Sequence, residues 1–540
     1  MYKHCSHCSR GIAIGMALVA LTGFGSARAA SNVTVDDAGD GVVNDGLCTL
    51  REAIGAANNQ SSSAGCLFSG SGSPTTISFA IGSGLHTINV GSRLPPITVP
   101  VVVDGLTQPG SSCAAWPPTL AIQISNPTNG QYNGLSLDPG SGGSTIRGLI
   151  INGFNSNQGV NYNYNAAISI YMSSGNRIEC NFIGTDATGT MAMSNLRGVD
   201  INSASNNVIG SDGTSKPYFA RNLISGNRYG QVDTRGYAPS GNRISGNYIG
   251  TNAAGTAAMD GQSAATGIDI NGNPSPATGN FIGWDGSGDP ALMRNIISGF
   301  DNSNNASIIM TVGAQGNFVA GNYIGTDVTG NTALGNGTGV RLGSNNDVYH
   351  NIIGNTGSQD EASARNVIAG NTYFGIDTNA ANGTHDNAVI GNYIGLGADG
   401  TTVLGNGICG VCMDYAQANT LVARNWIVTN SVAIRFFGSG SFGGGATAAF
   451  INNADGADTG LPALDSRDNC VLGGTGVQVY AQGANVPNPN RFEYNWWGAA
   501  TGPNTSGASS ADGSIDASPF LAAPATVCSD TIFRNGFELQ

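Results

Sequence analysis

A ten-residue phrase recurs four times in the chain and constrains its architecture more than any other feature. It begins at Asn181 as NFIGTDATGT and returns from Asn247, from Asn322 and, in a more divergent form, from Asn392. The copies start 66, 75 and 70 residues apart, so a near-constant unit alternates with loops of variable length. Repetition at such a period is typical of a solenoid, in which each unit buries its apolar face by stacking on the next.

Shorter apolar phrases divide each long repeat into two coils. Gly-Val/Ile-x-Ile phrases recur every 32 to 40 residues from Gly198 to Gly410, and Asn-x-Ile-Gly and Arg-Asn-x-Ile phrases alternate with them. Apolar residues two positions apart, in short runs bounded by Asn and Gly, have the period of a strand. We therefore predict an all-β, right-handed parallel β-helix of about ten coils, with an apolar interior, asparagines stacked at the turns and a cap at each end.

Four regions are predicted along the chain. Residues 1–29 contain a basic start (Lys3, Arg10), a short apolar run and an Ala27-Arg28-Ala29 ending, which is typical of a cleaved signal peptide. Residues 30–118 are expected to form the N-terminal cap and 119–435 the β-helix, followed by terminal coils, a C-terminal cap and a tail over 436–540. We expect a secreted or cell-surface protein without a transmembrane segment, because no run approaches ~20 apolar residues.

The charge balance restricts the possible partners. Removing Lys3, Arg10 and Arg28 with the signal peptide takes the net charge from −13 to −16 and leaves Lys216 as the sole lysine. Nucleic acids and anionic membrane surfaces require clustered cations, so both are excluded as expected partners. The same balance disfavours polyanionic sugars except at a local arginine cluster. Nothing in the sequence specifies an oligomeric state.

Eight cysteines remain after residue 29, an even number that favours disulfides in an exported chain. We expect Cys48–Cys66 and Cys470–Cys528 pairs, since each would tie together one end of the molecule. Cys409 and Cys412 have the spacing of a redox or zinc motif, but no second pair of ligands follows. A disulfide or two buried thiols is the preferred interpretation there.

Several phrases resemble one family. Cys48-Thr-Leu-Arg-Glu-Ala-Ile54 resembles the CSLREA motif that opens many exported bacterial β-helix proteins, with Thr49 in place of serine. The phrase from Asp104 to Gly110 and the Ile-Gly-Thr-Asp repeats are similar to the modules that follow this motif, and Asn495-Trp-Trp-Gly498 resembles the last coil of many secreted β-helices. The resemblance implies the fold and an extracellular or envelope setting, and it implies no agreed catalytic activity.

One constellation of residues has the potential for chemistry. In the Gly-Val/Ile-x-Ile strands the flanking apolar side chains point inward, so the residue between them points outward. Stacking the coils then predicts an exposed column, which reads Ser169, Asp200, Asp233, Asp269, Ile309, Arg341, Asp377, Cys412.

Asp200, Asp233 and Asp269 are the candidate site residues of this column. Neighbouring carboxylates ~5 Å apart raise one another's pKa unless a proton or cation lies between them. They are candidate catalytic residues of a glycosidase and candidate ligands of Ca²⁺. In the alternative interpretation, the protein has no cofactor and the column is acidic only because the repeats copy the same residue. The one-residue shift at Asp233 is the weakest point of the register.

Other charged residues are assigned structural roles. Lys216, the only lysine available as the base of a lyase, is interpreted as a solvated loop residue. Arg221, Arg294, Arg365 and Arg424 recur on every second coil and are expected to bond turn carbonyls. Asp186, Asn252 and Asp327 are interpreted as turn formers.

Two functions are compatible with these observations. The first is a non-catalytic structural or binding protein, secreted or attached to the envelope, whose long face engages a polysaccharide or cell-surface glycan. The alternative is a carbohydrate-active enzyme, a glycoside hydrolase or polysaccharide lyase, that works at the acidic column. A cleft lined by aromatic side chains would favour sugar binding, and Tyr171, Tyr229 and Tyr237 are the nearest candidates.

Overall fold

A computed structural model describes residues 30–451 except for 129, 157–164, 217–218, 260–265, 302–305, 344–347, 356–359, 379, 429–431 and 439–447, together with five short strands beyond residue 451. The predicted signal peptide, Cys528 and most of the predicted C-terminal cap lie outside the described residues. Among the described residues, no helix has the length and apolarity needed to cross a membrane.

The chain forms a right-handed parallel β-helix, as predicted. Three sheets run along it, and the chain visits sheet 1, then sheet 2, then sheet 3 before it returns to sheet 1 one coil further on. Pairing between strands of successive coils is parallel throughout, for example where Arg177–Glu179 pairs with Thr145–Arg147. Sheets 1 and 3 are joined through the long strand Cys409–Ala423, which pairs with members of both.

The strands are distributed as follows. Sheet 1 contains Asn32–Val35, Thr75–Phe79, Val101–Asp104, Thr145–Arg147, Arg177–Glu179, Val208–Gly210, Arg243–Ser245, Ala277–Thr278, Phe281–Gly283, Ala314–Gln315, Phe318–Ala320, Val348–Tyr349, Ile352–Gly354, Ala380–His385, Ala388–Ile390 and Ala448–Ile451. Sheet 2 contains His86–Asn89, Ile122–Ser125, Ile150–Asn152, Phe182–Ile183, Leu223–Ile224, Tyr248–Ile249, Ile296–Ile297, Tyr323–Ile324, Val367–Ile368, Tyr393–Ile394, Trp426–Val428 and Cys470–Leu472. Sheet 3 contains Leu135–Leu137, Ala166–Tyr171, Arg197–Asn202, Gly230–Gly236, Thr266–Pro274, Ala306–Thr311, Thr338–Leu342, Phe374–Asp377, Cys409–Ala423, Val432–Gly438, Val479–Gly483 and Ala511–Gly513. Asn490–Arg491 and Ile515–Asp516 form a separate pair.

Stacked aliphatic side chains fill the interior. Ile178 of sheet 1 pairs with Ile209 of the next coil, and Ile183 of sheet 2 pairs with Ile224. All four side chains are fully buried. Because identical side chains repeat at the same place in each coil, every coil buries the apolar surface that its neighbour exposes, which explains why the sequence repeats at all.

Asparagines form ladders at the turns, which confirms the prediction from the sequence. In one ladder, Asn207, Asn242, Asn280 and Asn317 come from successive coils and are all fully buried. The backbone N–H and the side-chain amide of Asn242 both donate to Oδ1 of Asn280, each at 3.0 Å. The amide of Asn280 in turn donates to Asn317 at 2.9 Å and to the carbonyl of Pro239 at 3.2 Å. Each asparagine therefore satisfies turn groups that burial would otherwise leave unpaired.

The ten-residue phrase builds a loop that stacks on its own next copy. In the first copy, Oδ1 of Asp186 accepts backbone N–H groups of Thr190 and Met191, both at 3.0 Å, and Asn252 and Asp327 make the equivalent bonds. These three residues are thus turn formers, as predicted. The N–H of Ala253 donates to the carbonyl of Gly189 at 2.9 Å, which ties one copy to the next.

Close packing of these loops also explains their invariant glycine. Gly189 has φ +66°, and a Cβ at that position would lie 2.7 Å from the Cβ of Ala253. Only glycine tolerates both the backbone conformation and the short distance. The long period of the sequence therefore corresponds to one loop on every second coil, with the loops in contact with one another.

A helix closes the N-terminal end. Leu50–Asn59 begins with a capping box, in which the Thr49 side chain accepts the N–H of Glu52 and the Glu52 carboxylate accepts the N–H of Thr49. Its buried face includes Leu50 and Ile54, which belong to the same apolar cluster as the coils. The predicted Cys48–Cys66 disulfide is present and is thereby confirmed. Strands on both sides of the predicted cap boundary at residue 118 pair with each other, as His86–Asn89 does with Ile122–Ser125. The predicted domain boundaries therefore stay predictions.

Two further disulfides are present. Cys409 and Cys412 are bonded, which decides between the two interpretations of that pair. Cys113–Cys180 joins residues 67 positions apart and was not predicted. The expected Cys470–Cys528 bond cannot be placed, since Cys528 lies outside the described residues. Between Thr145 and Arg435 the described helices are the four-residue turns Pro290–Met293 and Glu361–Ala364, and a short 3₁₀ turn lies earlier at Gly105–Thr107.

Candidate functional site

The acidic column on sheet 3 has the predicted register. Asp200 pairs with Asp233 and Asp233 pairs with Asp269, each from the next strand along the helix. Ser169 precedes them in the same line, and Ile309 follows. The one-residue shift assumed for Asp233 is therefore confirmed, because the inward-facing Val199, Val232 and Ile268 set the alternation on all three strands.

The prediction that this column is exposed is wrong. Five of its members are buried and three are partly buried: Ser169, Asp200, Asp233, Asp377 and Cys412 are in the first group, and Asp269, Ile309 and Arg341 in the second. Asp200 and Asp233 are only 3% and 4% exposed, and Asp269 is partly buried. Two arginines on the same face of the sheet cover them. Arg235 makes a bidentate ion pair with Asp200, in which Nε donates to Oδ1 at 2.7 Å and Nη2 donates to Oδ2 at 2.8 Å. Nε of Arg197 lies 2.5 Å from Oδ2 of Asp233. Outward orientation did not produce exposure, since neighbouring long side chains fold over the short ones.

Burial and like charge shift the titration of two members of the column. The pKa of Asp233 rises to about 6, mainly through burial, although the guanidinium of Arg197 opposes the shift. The pKa of Asp269 rises to about 7, again mainly through burial and secondly through the nearby carboxylate of Asp233. Both therefore hold a proton at a pH where an ordinary aspartate is ionised.

Two of the three candidate calcium ligands are paired with arginines in this structure. Arginine nitrogens occupy the positions beside Asp200 and Asp233 that a cation would take. Within the described part of the chain, no group of three or more His, Cys, Asp or Glu side chains is placed to hold a metal ion.

A groove of about 720 Å³ opens on sheet 3 toward the N-terminal end of the column. Its wall is formed by Arg93, Asn133, Ser136, Asp138, Ser169, Tyr171, Met172, Asp200, Asn202, Ser203, Gly236 and Tyr237. Asp200 is thus the member of the acidic triad that reaches the groove, whereas Asp233 and Asp269 lie further along the sheet. Two of the three candidate aromatic residues line it, with Tyr171 44% and Tyr237 71% exposed. Tyr229 instead lies under the guanidinium of Arg197, 5.0 Å from ring centroid to Cζ.

A second outward column contributes three residues to the groove, Asp138, Tyr171 and Asn202. Tyr171, Asn202 and Arg235 are paired neighbours on successive strands, each two positions after the first column. Asp138 precedes them, directly after the strand Leu135–Leu137. The pKa of Asp138 is raised by burial, while the positive charge of Arg93 opposes the shift. The sequence reasoning missed this column, although extending the alternation by two residues on each strand would have found it.

Lys216 is not the solvated loop residue that was predicted. Its side chain is 15% exposed, and Nζ lies 2.5 Å from Oε1 of the buried Glu179. Arg177 and Asp212 complete the cluster, in which Arg177 Nη2 lies 2.5 Å from Asp212 Oδ2. Although burial opposes it, hydrogen bonds from Thr214 and Arg177 lower the pKa of Asp212 to about 2. The cluster borders a second cavity of about 250 Å³, and its carboxylates hold the lysine as an ion-paired cation.

The bond to a turn carbonyl that was predicted for the recurrent arginines is present at Arg221, whereas Nε of Arg294 and Nε of Arg365 are buried and make no hydrogen bond. Nε of Arg221 donates to the carbonyl of Gly246 at 3.0 Å, as predicted. Its guanidinium also lies 4.2 Å from the ring centroid of Tyr248, a contact that the sequence reasoning did not foresee. Arg294 over Tyr323 and Arg365 over Tyr393 repeat this stacking.

Comparison with solved structures finds matches of low identity and low TM-score. One similar solved structure is the A-module of a mannuronan C-5 epimerase from Azotobacter vinelandii. The match has 11% sequence identity and a TM-score of 0.28, and it covers 90% of this chain and 96% of the epimerase module. A pectate lyase shares 9% identity over 89% of this chain and 76% of its own, with a TM-score of 0.24. A surface adhesin of Streptococcus pneumoniae shares 13% identity over 84% and 93%, with a TM-score of 0.29. No family model and no curated protein sequence matches the chain. The resemblance to CSLREA proteins therefore stays a prediction, and the fold assignment rests on the strand pairing of this chain.

Proposed function

We propose that this is an exported β-helix protein that binds glycans without cleaving them, and that the groove on sheet 3 is its binding site. The signal-like residues 1–29 and the three disulfides support export. One observation carries the proposal, namely that two exposed tyrosines line a groove together with several serine and asparagine side chains.

The groove has the two kinds of group that sugar recognition needs. The rings of Tyr171 and Tyr237 present apolar faces to solvent, and a sugar ring can stack on such a face. Between them, the side chains of Ser169, Asn202 and Ser203 supply hydroxyl and amide groups for hydrogen bonds with sugar hydroxyls. Concave sites that combine apolar contact area with a few fixed polar groups are the usual form of small-ligand sites.

The state of Asp200 favours binding over hydrolysis. A nucleophilic or basic carboxylate needs an oxygen that can reach the substrate. Both oxygens of Asp200 are engaged by Arg235 in a bidentate pair, so using either one would leave a largely covered guanidinium without its partner. Asp200 therefore fits a positioning role in the wall of the groove.

A binding assay with matched variants tests the proposal. The wild-type protein is screened on an array of neutral and acidic glycans, and the best ligand is titrated against Tyr171→Ala, Tyr237→Ala and Tyr229→Ala. Tyr171 and Tyr229 are both 44% exposed, but only Tyr171 lines the groove. We expect the two groove variants to lose about tenfold in affinity each and Tyr229→Ala to keep it. Equal affinities in all four proteins would refute the groove as the site.

One observation supports the alternative of a carbohydrate-active enzyme. Asp269, with a pKa of about 7, can keep its proton near neutral pH as a general acid must, whereas Asp233, with a pKa of about 6, is mostly ionised there. Their strands place the two residues ~5 Å apart, the separation of a retaining pair. Incubating the array ligands with the protein and measuring new reducing ends or unsaturated products decides the matter. Cleavage that disappears in Asp233→Asn and Asp269→Asn would establish the enzyme and overturn the non-catalytic proposal.

A further inference from the structure

We propose that the groove takes an uncharged polysaccharide, whose chain lies across the strands and parallel to the axis of the helix. This inference rests on the proposed glycan-binding function and specifies its ligand.

The first argument is the shape of the groove. Its wall takes residues from four successive strands of sheet 3, represented by Ser136, Ser169, Asp200 and Gly236. Strands lie ~4.8 Å apart, so three steps extend the groove about 14 Å across the strands. A chain that lay along a single strand would meet only one of these four coils.

The second argument is the position of the tyrosines. Tyr171 pairs with Asn202, and Asn202 with Arg235, so the strand that leads to Tyr237 lies two coils beyond that of Tyr171. The two tyrosines, Tyr171 and Tyr237, are therefore separated by about 10 Å along the axis of the helix. A ligand that stacks on both must cross the intervening coil, where Asn202 and Ser203 face it.

The third argument is charge. Arg93 is the cation in the wall, and it faces the carboxyl group of Asp138. Arg235 stands behind the wall and is paired with Asp200. A uronate carboxylate would enter beside the acidic side chains of Asp138 and Asp200, which repel it. Arg235 is already paired with Asp200, and the negative charge of Asp138 offsets the attraction of Arg93. Sugar hydroxyls face no such repulsion, and the serine and asparagine side chains of the wall are neutral donors and acceptors for them.

The experiment compares ligands of matched length and different charge. Gluco-, manno- and xylo-oligosaccharides of two to six residues are titrated calorimetrically beside oligogalacturonates and oligomannuronates of the same lengths. We expect at least one neutral series to bind, with affinity that rises by about tenfold or more between the dimer and the hexamer as the second tyrosine is engaged. In Tyr171→Ala and Tyr237→Ala that gain with length should vanish, whereas Tyr229→Ala should preserve it.

The outcomes separate this inference from the proposed function. Tighter binding of the uronates than of every neutral series would overturn the inference and leave glycan binding intact. An affinity that reaches its plateau at the dimer would overturn the axial orientation. Failure of both kinds of oligosaccharide to bind would instead refute the proposed function. As a check on the charge argument, Asp138→Asn should raise uronate affinity relative to neutral affinity, and an unchanged ratio would contradict it.

Discussion

Replacing Asp269 by asparagine should stabilise the protein at alkaline pH and have little effect at acid pH. The folded protein holds the Asp269 proton up to about pH 7, whereas the unfolded chain releases it near 3.8. The native state therefore binds more protons between these values, and the free energy of unfolding falls as the pH rises through that window. Above pH 7 the carboxylate is ionised in a place that disfavours charge, and an amide removes this penalty.

The size of the effect follows from the two pKa values. A gap from 3.8 to about 7 corresponds to about 4 kcal/mol. Asp269 keeps some contact with solvent, which screens the charge, so we expect about 2 kcal/mol. With an unfolding entropy of about 2.1 cal/mol/K per residue and roughly 500 residues, that is an increase in Tm of about 2 °C at pH 8.

Scanning calorimetry of the wild type and the variant at pH 4 and pH 8 measures this directly. Asp200→Asn is the matched control. Asp200 and Asp269 lie on opposite sides of Asp233 in the same column, and the chemical change is the same at both. Asp200→Asn removes the bidentate partner of Arg235 and should therefore lower the Tm at pH 8, with a cost of about 3 kcal/mol. A lower Tm for Asp269→Asn at pH 8, or an equal shift at both pH values, would show that burial of its charge is not the cause.

Two further predictions concern the scaffold. Removing Cys113–Cys180 by a double serine substitution should lower the free energy of unfolding by about 4 kcal/mol, against about 3 for Cys48–Cys66, because the sequence separations are 67 and 18 residues. Thermal melts should rank the two variants in that order, and the reverse ranking would contradict the loop-entropy argument. Asn280→Ala should cost about 3 kcal/mol or more, since the buried donors of its ladder neighbour lose their acceptor. A Tm equal to that of the wild type would show that the ladder is not needed for stability.

Repetition made the fold predictable from the sequence. Aligned repeats place Ile178 on Ile209, and the same alignment places Asp200 on Asp233 and Asp233 on Asp269. In a parallel solenoid a single alignment of repeats fixes the register of every coil, so inward and outward positions follow from it. The Cys113–Cys180 bond was not predictable in this way, because the other three copies of the phrase are preceded by glycine where the first is preceded by Cys180.

Exposure was the quantity that the repeats could not provide. Whether Asp200 meets solvent depends on Arg235, which lies one coil away and two positions along the strand. Lys216 presents the same problem, since the carboxylate that holds it belongs to Glu179, 37 residues earlier. A pattern gives the direction of each side chain, whereas its surroundings depend on the lengths and charges of its neighbours across coils.

The groove includes outward positions of sheet 3 whose residues differ from coil to coil, and this has a physical reason. Positions that stack, such as the asparagines and Gly189, must stay the same from coil to coil because each copy is the packing partner of the next. A site for a ligand needs different side chains on neighbouring coils. The second column provides them in the order Asp138, Tyr171, Asn202, Arg235, which changes at every step. In the Asp200, Asp233, Asp269 column the residue repeats, and two of the three carboxylates are used in ion pairs with arginines. We therefore expect that, in a solenoid of this kind, an outward column whose residues differ from coil to coil indicates a binding site better than one that repeats.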